Sequence, residues 1–416
     1  MFAAAPVGGS GPGSTADVKP YGRWHSRVRG VPETCGELPA SLMAEEIGAP
    51  GEEVHGLLTI CGNPVLSVPR GDKIRDALKT LDFTVCLDIY INETTSQADM
   101  ILPSTVHPEH SNIDVTFQNF TTRNYVSFSP KTFEPAPGLK DLGEIILEIS
   151  ARMAGLTRDE MEGFVYQGMV DMACQRAADA GYELTPDTIN TNVTGDTAPE
   201  RYIDIMLRTG PYGDQFGRRP DGISLAAVQN HPQASIDLGA LKPRMDEILR
   251  TPRKRIDLMH EVFAGDLPRL ESRFLEQSQN AAGQADANAM LMIGRRHIRD
   301  MNSWLHNLKP YARGKNRCTM KLNSDDAARI GLKDGSHARV VSSVGETFVP
   351  VEITEEMMDG VISIPHGFGH VYPDSKQPYA KELLPGVSCN DLIDESLDVA
   401  SSTCIVNGVP VQVFPG

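Results

Sequence analysis

The amino-acid sequence predicts an α/β fold: a partial Rossmann-like parallel sheet, a mainly helical segment and a C-terminal β-barrel. Three observations predict it. Between residues 54 and 102, apolar runs of strand length alternate with a helical pattern, which implies parallel strands joined by crossovers. Between residues 139 and 208, apolar residues recur at helical spacing. From residue 289 onward, short apolar runs recur between turn signals, the mark of a small barrel.

Taken in order, residues 1–20 are rich in Ala, Gly, Pro and Ser and read as a flexible lead-in. Residues 21–51 are mixed, with Arg23, Arg27 and Arg29 ahead of an amphipathic stretch over 38–47. A strand over 54–61 ends at the turn Gly62-Asn63-Pro64. The patterning then predicts a helix over 72–80, a buried strand over 83–91, a turn or short helix over 94–98 and a short strand over 100–102. Residues 139–153 form a helix with Leu142, Ile145, Ile146 and Ile149 on one face. Helices follow over 158–180 and 199–208, then irregular connections over 209–260 and a polar linker over 277–288. Barrel strands are expected at 289–293, 319–322, 338–344, 347–353, 360–364 and 404–413. A helix over 324–330 is capped by Ser324 and stopped by Gly331. The implied organisation is a lead-in over 1–50, the partial sheet region over 51–155, a helical connecting region over 156–284 and the barrel domain over 285–416.

The chain has 416 residues, enough for two or three domains with sizeable cores. Its net charge of −16 argues against general nucleic-acid binding, which phosphate neutralisation drives. No apolar run approaches the roughly 18 residues of a membrane span. The first residues lack a positive start and an apolar core of signal length, so a cytoplasmic location is expected. The closest two of the seven cysteines are 15 residues apart, so no zinc-type or C-x-x-C spacing exists. Buried reduced thiols in a reducing compartment are the plain reading.

Two segments carry chemistry. In the first, a strand feeding Gly62-Asn63-Pro64 presents backbone N–H groups at the carboxyl end of a parallel sheet, where open α/β sheets bind ligands. Gly62 lets backbone approach a ligand and Asn63 offers it an amide. Asp88, at the end of the next strand, can accept the paired ring N–H and amine of a guanine. Thr94 and Thr95 are candidates for phosphate or ribose. The bland alternative is a turn and a helix cap. No G-x-G-x-x-G follows a strand, so a nicotinamide fingerprint is absent.

In the second segment, Gly294 is followed by Arg295, Arg296, His297 and Arg299, a local anion site in an acidic chain. The bland alternative is a solvated basic turn. Asn302-Ser303-Trp304 comes next. Further on, the two glycines of His366-Gly367-Phe368-Gly369-His370 suggest unusual backbone angles or close ligand approach. His366 and His370 have metal-ligand spacing only on a helix, which these glycines disfavour. Asn390 lies at another strand-to-loop junction.

Together these residues resemble the C-terminal portion of the molybdopterin oxidoreductase family, which includes formate dehydrogenases and nitrate reductases. The stretch from Gly62-Asn63-Pro64 through Asp88, Glu93-Thr94 and Ala98-Asp99 to Leu102-Pro103 resembles the second half of that family's Rossmann-like region. Residues 291–413 are similar to its dinucleotide-binding double-psi β-barrel. The resemblance implies a bis-molybdopterin guanine dinucleotide cofactor carrying Mo or W. It implies that Asn63 and Asp88 hold one guanosine half, and Gly62 and Thr94 beside them are counted as cofactor-binding candidates. It also implies that Gly294, Arg295, His297, Asn302, Ser303, His366 and Asn390 line the pterin and phosphate path. The family's [4Fe–4S] motif and protein metal ligand belong upstream of these segments, and no cysteine here matches either. The expectation is a fragment or split subunit that binds the cofactor. Its redox reaction would need upstream domains, a separate N-terminal catalytic subunit or an electron-transfer partner, and the isolated chain would be inactive. The alternatives are a non-catalytic cofactor-binding or assembly module, and a plain two-domain protein holding a different nucleotide.

Overall fold

The computed structural model describes residues 21–34, 36–51, 53–114, 121–243, 245, 249, 251, 253–282 and 286–416, with side chains for all of these except 276–282. They divide into two compact units, one formed by residues 103–257 and the other by 19–102 together with 258–416.

The discontinuous unit begins with an antiparallel pair, Tyr21–His25 (β1) and Pro32–Thr34 (β2), and a short helix, Met43–Gly48 (α1). Gly56–Ile60 (β3) then leads through Pro64–Ser67 (α2) and Gly71–Leu78 (α3) to Phe83–Leu87 (β4) and Met100–Leu102 (β5). These three strands form a parallel sheet in the order β3-β4-β5. Proline at the start of α2 suits a position whose N–H would be unpaired in any case. On α3, Ile74 and Leu78 lie one turn apart and pack with Val65 and Leu57, which covers one face of the sheet.

The continuous unit contains Asn112–Ile113 (β6), Asn124–Ser129 (β7), Leu142–Ala154 (α4), Arg158–Asp179 (α5), Pro186–Asn192 (α6), Ala198–Arg208 (α7), Leu225–Asn230 (α8) and Ser235–Gly239 (β8). Its strands pair antiparallel in the order β6-β7-β8. Helix starts follow capping chemistry: Asp141, Thr157, Thr185, Thr197 and Ser224 each accept a backbone N–H at an N-terminus. Gly155 ends α4 in the left-handed conformation.

After residue 257 come Glu261–Gly265 (α9) and Leu267–Ala282 (α10), and then the barrel. Its elements are Ala289–Arg295 (β9), Lys309–Ala312 (α11), Met320–Leu322 (β10), Ser324–Ile330 (α12), His337–Val341 (β11), Glu346–Ile353 (β12), Val361–Pro365 (β13), Pro378–Leu383 (α13) and Val409–Pro415 (β14). The strands close in the order β10-β12-β11-β14-β9-β13. Two pairs, β10 with β12 and β9 with β13, are parallel within an otherwise antiparallel ring. This closure has the double-psi form expected of the C-terminal domain. Alternate residues point inward: Met290 and Met292, Ala338 and Val340, Val349 and Val351, Ile362 and Ile364, Val411 and Val413. Each large side chain buried this way contributes about 1.5–3 kcal/mol.

All six expected barrel strands form, with ends moved by a few residues. Elsewhere the structure corrects the reading. The 83–91 strand stops at Leu87, because Asp88 turns its carboxylate back onto the Tyr90 N–H. The stretch 209–260 is not wholly irregular, since it holds α8 and β8. The linker expected over 277–288 is entered by α10, which continues to Ala282. The cap of α12 is Asn323, whose side chain accepts from the Asp325 N–H; Ser324 is the first helical residue. The lead-in over 1–20 and Cys35 lie outside the described residues. Among the described residues, no helix is long and apolar enough to cross a membrane.

Candidate functional site

Every candidate cofactor-binding residue named from the sequence falls in the discontinuous unit. Two places gather most of them: the carboxyl ends of β3 and β4, and the barrel mouth where β9 and β13 end side by side.

At the sheet, the turn after β3 carries Cys61 at φ 49° and then Gly62. A Cβ at Gly62 would meet nothing closer than 3.8 Å, so approach to this backbone is open. Asp88 is buried at the end of β4. Its Oδ1 accepts from the Tyr90 N–H at 2.9 Å and its Oδ2 from Asn92 Nδ2 at 3.0 Å. Burial raises its pKa, and those two hydrogen bonds oppose the rise. Each carboxylate oxygen keeps a further lone pair for a ligand.

Asn63 and Thr94 face inward. Asn63 Nδ2 donates to Glu93 Oε2 at 2.7 Å, and its Oδ1 accepts from Thr94 Oγ1 at 2.7 Å. Thr94 Oγ1 also accepts from the Val65 N–H at 3.1 Å. Their polar atoms therefore build the turn, with the Asn63 amide donating to Glu93 and its oxygen held by Thr94. Thr95 is likewise internal: its Oγ1 accepts from the Asn92 N–H and donates to the Tyr90 carbonyl.

At the barrel mouth, a cavity of about 430 Å³ is lined by Arg296, His297, Asp300, Met301, Asn302 and His366. Arg296 donates to Asn302 Oδ1. His297 Nδ1 accepts from the Arg299 N–H at 3.1 Å. Burial, reinforced by the charge of Arg296, pushes His366 down to about 4, so its ring is neutral at pH 7. Met301 and Asn302 both have positive φ, 44° and 59°. Two adjacent non-glycine residues in this region store backbone strain at the cavity wall. Asp300 is buried, and its Oδ2 has no protein partner. A buried, partnerless carboxylate oxygen beside a cavity is suited to a donor on a ligand.

Arg295 differs from its neighbour. Its guanidinium folds back against the protein and donates to the carbonyls of Ser363, Arg317 and Thr319. Burial lowers its pKa. The basic side chain that reaches the cavity is therefore Arg296. The Gly294 N–H is held by Asn407 Oδ1 at 2.9 Å. Ser303 is buried ahead of the short 3₁₀ turn Trp304–Asn307. Asn390 Nδ2 donates to the Leu66 carbonyl at 2.8 Å, a direct tie between the 3₁₀ turn Cys389–Leu392, which follows α13, and α2.

The glycines of the His366–His370 stretch do take unusual angles, with Gly367 at φ 92° and Gly369 at φ 113°. What they approach is protein. A Cβ at Gly367 would fall 1.9 Å from the Asn302 carbonyl, and one at Gly369 would lie 2.9 Å from Ser388. His366 and His370 point to different places, His366 to the cavity and His370 into the interior against Glu93. Sequence reasoning missed Asp300 and Glu93 as site residues. Asp300 directly follows a basic run, where a lone acid reads as a surface counter-charge. Glu93 abuts Thr94 in the first segment, and its partner His370 is 277 residues away.

Residues 290–410 match the Molydopterin dinucleotide binding domain, and residues 1–151 match the Molybdopterin oxidoreductase family. Among curated proteins, the chain is 24% identical over 334 residues to the alpha subunit of the F420-dependent formate dehydrogenase of Methanocaldococcus jannaschii, covering 79% of this chain and 41% of that one. It is 23% identical over 411 residues to ArrA, the molybdopterin-containing subunit of the arsenate respiratory reductase of Shewanella sp., covering 86% and 44%. A shorter match, 29% over 102 residues, links it to the catalytic subunit of the assimilatory nitrate reductase of Bacillus subtilis, covering 24% of this chain and 14% of that one. Among solved structures, acetylene hydratase from Pelobacter acetylenicus superposes with a TM-score of 0.61 at 15% identity, covering 91% of this chain and 46% of that one. That likeness shows the shared fold. The chain thus spans less than half the length of these relatives.

Proposed function

Because this chain belongs to the molybdopterin oxidoreductase family, we propose that it forms the dinucleotide-binding half of a molybdopterin-dependent redox enzyme. The cofactor is bis-molybdopterin guanine dinucleotide with Mo or W. When bound, that group supplies two-electron chemistry at its metal, and the protein's part is to hold and orient it. The observation that carries the reading is the barrel-mouth cavity, lined by Arg296, His297, Asn302, neutral His366 and Asp300, whose buried Oδ2 has no protein partner. Arginine and imidazole suit phosphate, and an orphan carboxylate oxygen suits the N–H groups of a pterin-type ring.

On this reading the site residues take two roles. Gly62, Asp88, Arg296, His297, Asn302 and His366 meet the ligand, with Asp88 reading the guanine edge. Asn63, Thr94, Gly294, Arg295, Ser303 and Asn390 hold the frame, as their internal hydrogen bonds support. The four domains over 1–50, 51–155, 156–284 and 285–416 remain our functional division. The redox reaction, formate-dehydrogenase-like or nitrate-reductase-like, depends on groups outside this chain, supplied by an N-terminal catalytic part and an electron-transfer partner.

The test uses the purified chain and its Asp88→Ala variant. Guanine nucleotide and metal retained after co-expression with the cofactor pathway are quantified, and dye-linked formate oxidation and nitrate reduction are assayed. We expect retained guanine nucleotide in the parent chain, at least tenfold less in Asp88→Ala, and no turnover in either. Substantial turnover by the chain alone would overturn the division of labour. Equal retention by the variant would overturn the role of Asp88. Retention without redox work in any longer assembly would instead favour an assembly module.

A further inference from the structure

A buried line of polar groups joins the sheet segment to the barrel segment within the same unit. It starts at Asn63 Nδ2, which donates to Glu93 Oε2 at 2.7 Å. Glu93 Oε1 stands 2.9 Å from His370 Nδ1. His370 Nε2 stands 2.9 Å from His306 Nδ1. His306 Nε2 stands 3.1 Å from Asp300 Oδ1, in an ion-pair contact bent away from hydrogen-bond alignment. Asp300 Oδ1 also accepts from Arg317 Nη2 at 2.9 Å. The side chains of Glu93, His370 and His306 are wholly enclosed. Phe368 lies against the His306 ring, with centroids 4.5 Å apart.

Protons can be counted along this line. Three contacts involve the imidazoles: Glu93 to His370, His370 to His306, and His306 to Asp300. Each contact needs one proton, since otherwise two lone pairs face each other. Two neutral imidazoles carry two N–H groups, and an imidazole with an imidazolium carries three. With two neutral rings, one contact is left as facing lone pairs, and the bent contact at Asp300 is where it would fall. The charges point the same way. Two carboxylates and Arg317 sum to −1, and one imidazolium brings the buried set to zero. An uncompensated charge in such a place costs several kcal/mol.

We infer that His306 and His370 together store one proton at neutral pH, forming a net-neutral clasp between the Asn63–Glu93 turn and the barrel, whose outer end, Asp300, opens on the cavity. The proton belongs to the pair, and the charge lies on the side facing Glu93. Burial disfavours charge on His306, in keeping with that placement. On Glu93, burial is the largest influence and works against ionisation, but the hydrogen bond and charge of His370 and the Asn63 hydrogen bond together outweigh it, and the pKa is lowered. Asp300 behaves likewise: burial opposes, and His306 and Arg317 prevail. Other groups facing the line are Arg75, which donates to the Glu93 carbonyl, the Tyr372 hydroxyl near Glu93, and at the outer end His297, 4.0 Å from Asp300 Oδ1, and the charge of Arg295.

The sign of the pH dependence follows. Imidazoles of the unfolded chain release their protons near pH 6.5. A proton that the folded pair still holds at pH 7, where unfolded imidazoles have largely released theirs, adds stability there, and that stability is lost when alkaline pH removes it. The lowered carboxylates add stability that is present above their unfolded values and is lost as pH falls. The clasp is tightest between these limits, so the alignment of the two walls of the site depends on one proton.

The experiment is ¹⁵N NMR of the histidine-labelled chain at pH 7, with His306 and His370 assigned from His306→Gln and His370→Gln. We expect one of the two rings doubly protonated and the other neutral. Both neutral, or both doubly protonated, would overturn the inference. Glu93→Gln adds a second readout: its amide N–H fills the first contact and removes a charge, so both rings should become neutral at pH 7. Unchanged protonation in a folded Glu93→Gln would overturn the inference as well. If that variant does not fold, the parent spectrum still decides. No cofactor is needed in either measurement, so failure here is distinct from failure of the proposed function.

Discussion

His366 stays neutral at pH 7 for reasons that are local and testable. Burial and the neighbouring Arg296 push it down to about 4, whereas an unfolded imidazole protonates near pH 6.5. Between those values the unfolded chain binds the extra proton and the folded chain does not, so stability falls as pH drops through this window. His366→Asn should remove that component. Urea midpoints measured at pH 7 and pH 5 should differ less in the variant than in the parent, and an equal difference would show that His366 is not the responsible group. The residue scale also shows where sequence legibility stops. Asp88 stands out in the sequence because it follows an apolar strand run, and in the structure its buried carboxylate accepts from the Tyr90 N–H and from Asn92 just past the end of β4. Arg295 and Arg296 look equivalent in sequence. They differ because Arg295 is the last residue of β9, where three nearby carbonyls receive its guanidinium, whereas Arg296 lies beyond the strand end at the cavity.

At the scale of elements, the loop after β13 depends on a close approach that no other residue permits. Gly367 combines φ 92° with a hypothetical Cβ only 1.9 Å from the Asn302 carbonyl. Gly360, on the other side of β13, has φ 73° but nothing within 4 Å. Gly360→Ala should therefore cost only the left-handed penalty, about 1 kcal/mol. Gly367→Ala should cost that and more, on the order of 3 kcal/mol, and should also disturb the strained pair Met301–Asn302. Thermal unfolding of both variants checks this, and equal losses would mean the loop relaxes freely. A second comparison concerns α12. Asn323→Ala removes the cap and should cost about 1 kcal/mol, while Ser324→Ala should be near neutral, the reverse of what the sequence suggested. The barrel strands were legible because period-2 alternation and closure agree at every strand. The segment over 209–260 was not. Strand β8 exists through its pairing with β7, more than a hundred residues earlier, and the local sequence Ser235–Gly239 carries little strand propensity of its own.

For the molecule as a whole, the most consequential feature is the small parallel sheet. Parallel sheets are ordinarily covered on both faces, and here α2 and α3 cover one. On the other, Leu58, Ile60, Phe83 and Met100 are each at least 41% exposed. The register places them together, since Leu58 lies beside Val85 and Val85 beside Met100. Both outer strands, β3 and β5, also leave an edge unpaired within this sheet. An apolar face flanked by open edges favours self-association of the chain at high concentration. Phe83→Lys combined with Met100→Lys should lower concentration-dependent association in sedimentation velocity. Because both side chains are already half in solvent, the same pair should change stability by no more than about 1 kcal/mol. If association is unchanged while the fold is intact, the sticky surface lies elsewhere, and the exposed side chains of α9 and α10 (Phe263, Leu270 and Phe274) become the next place to substitute.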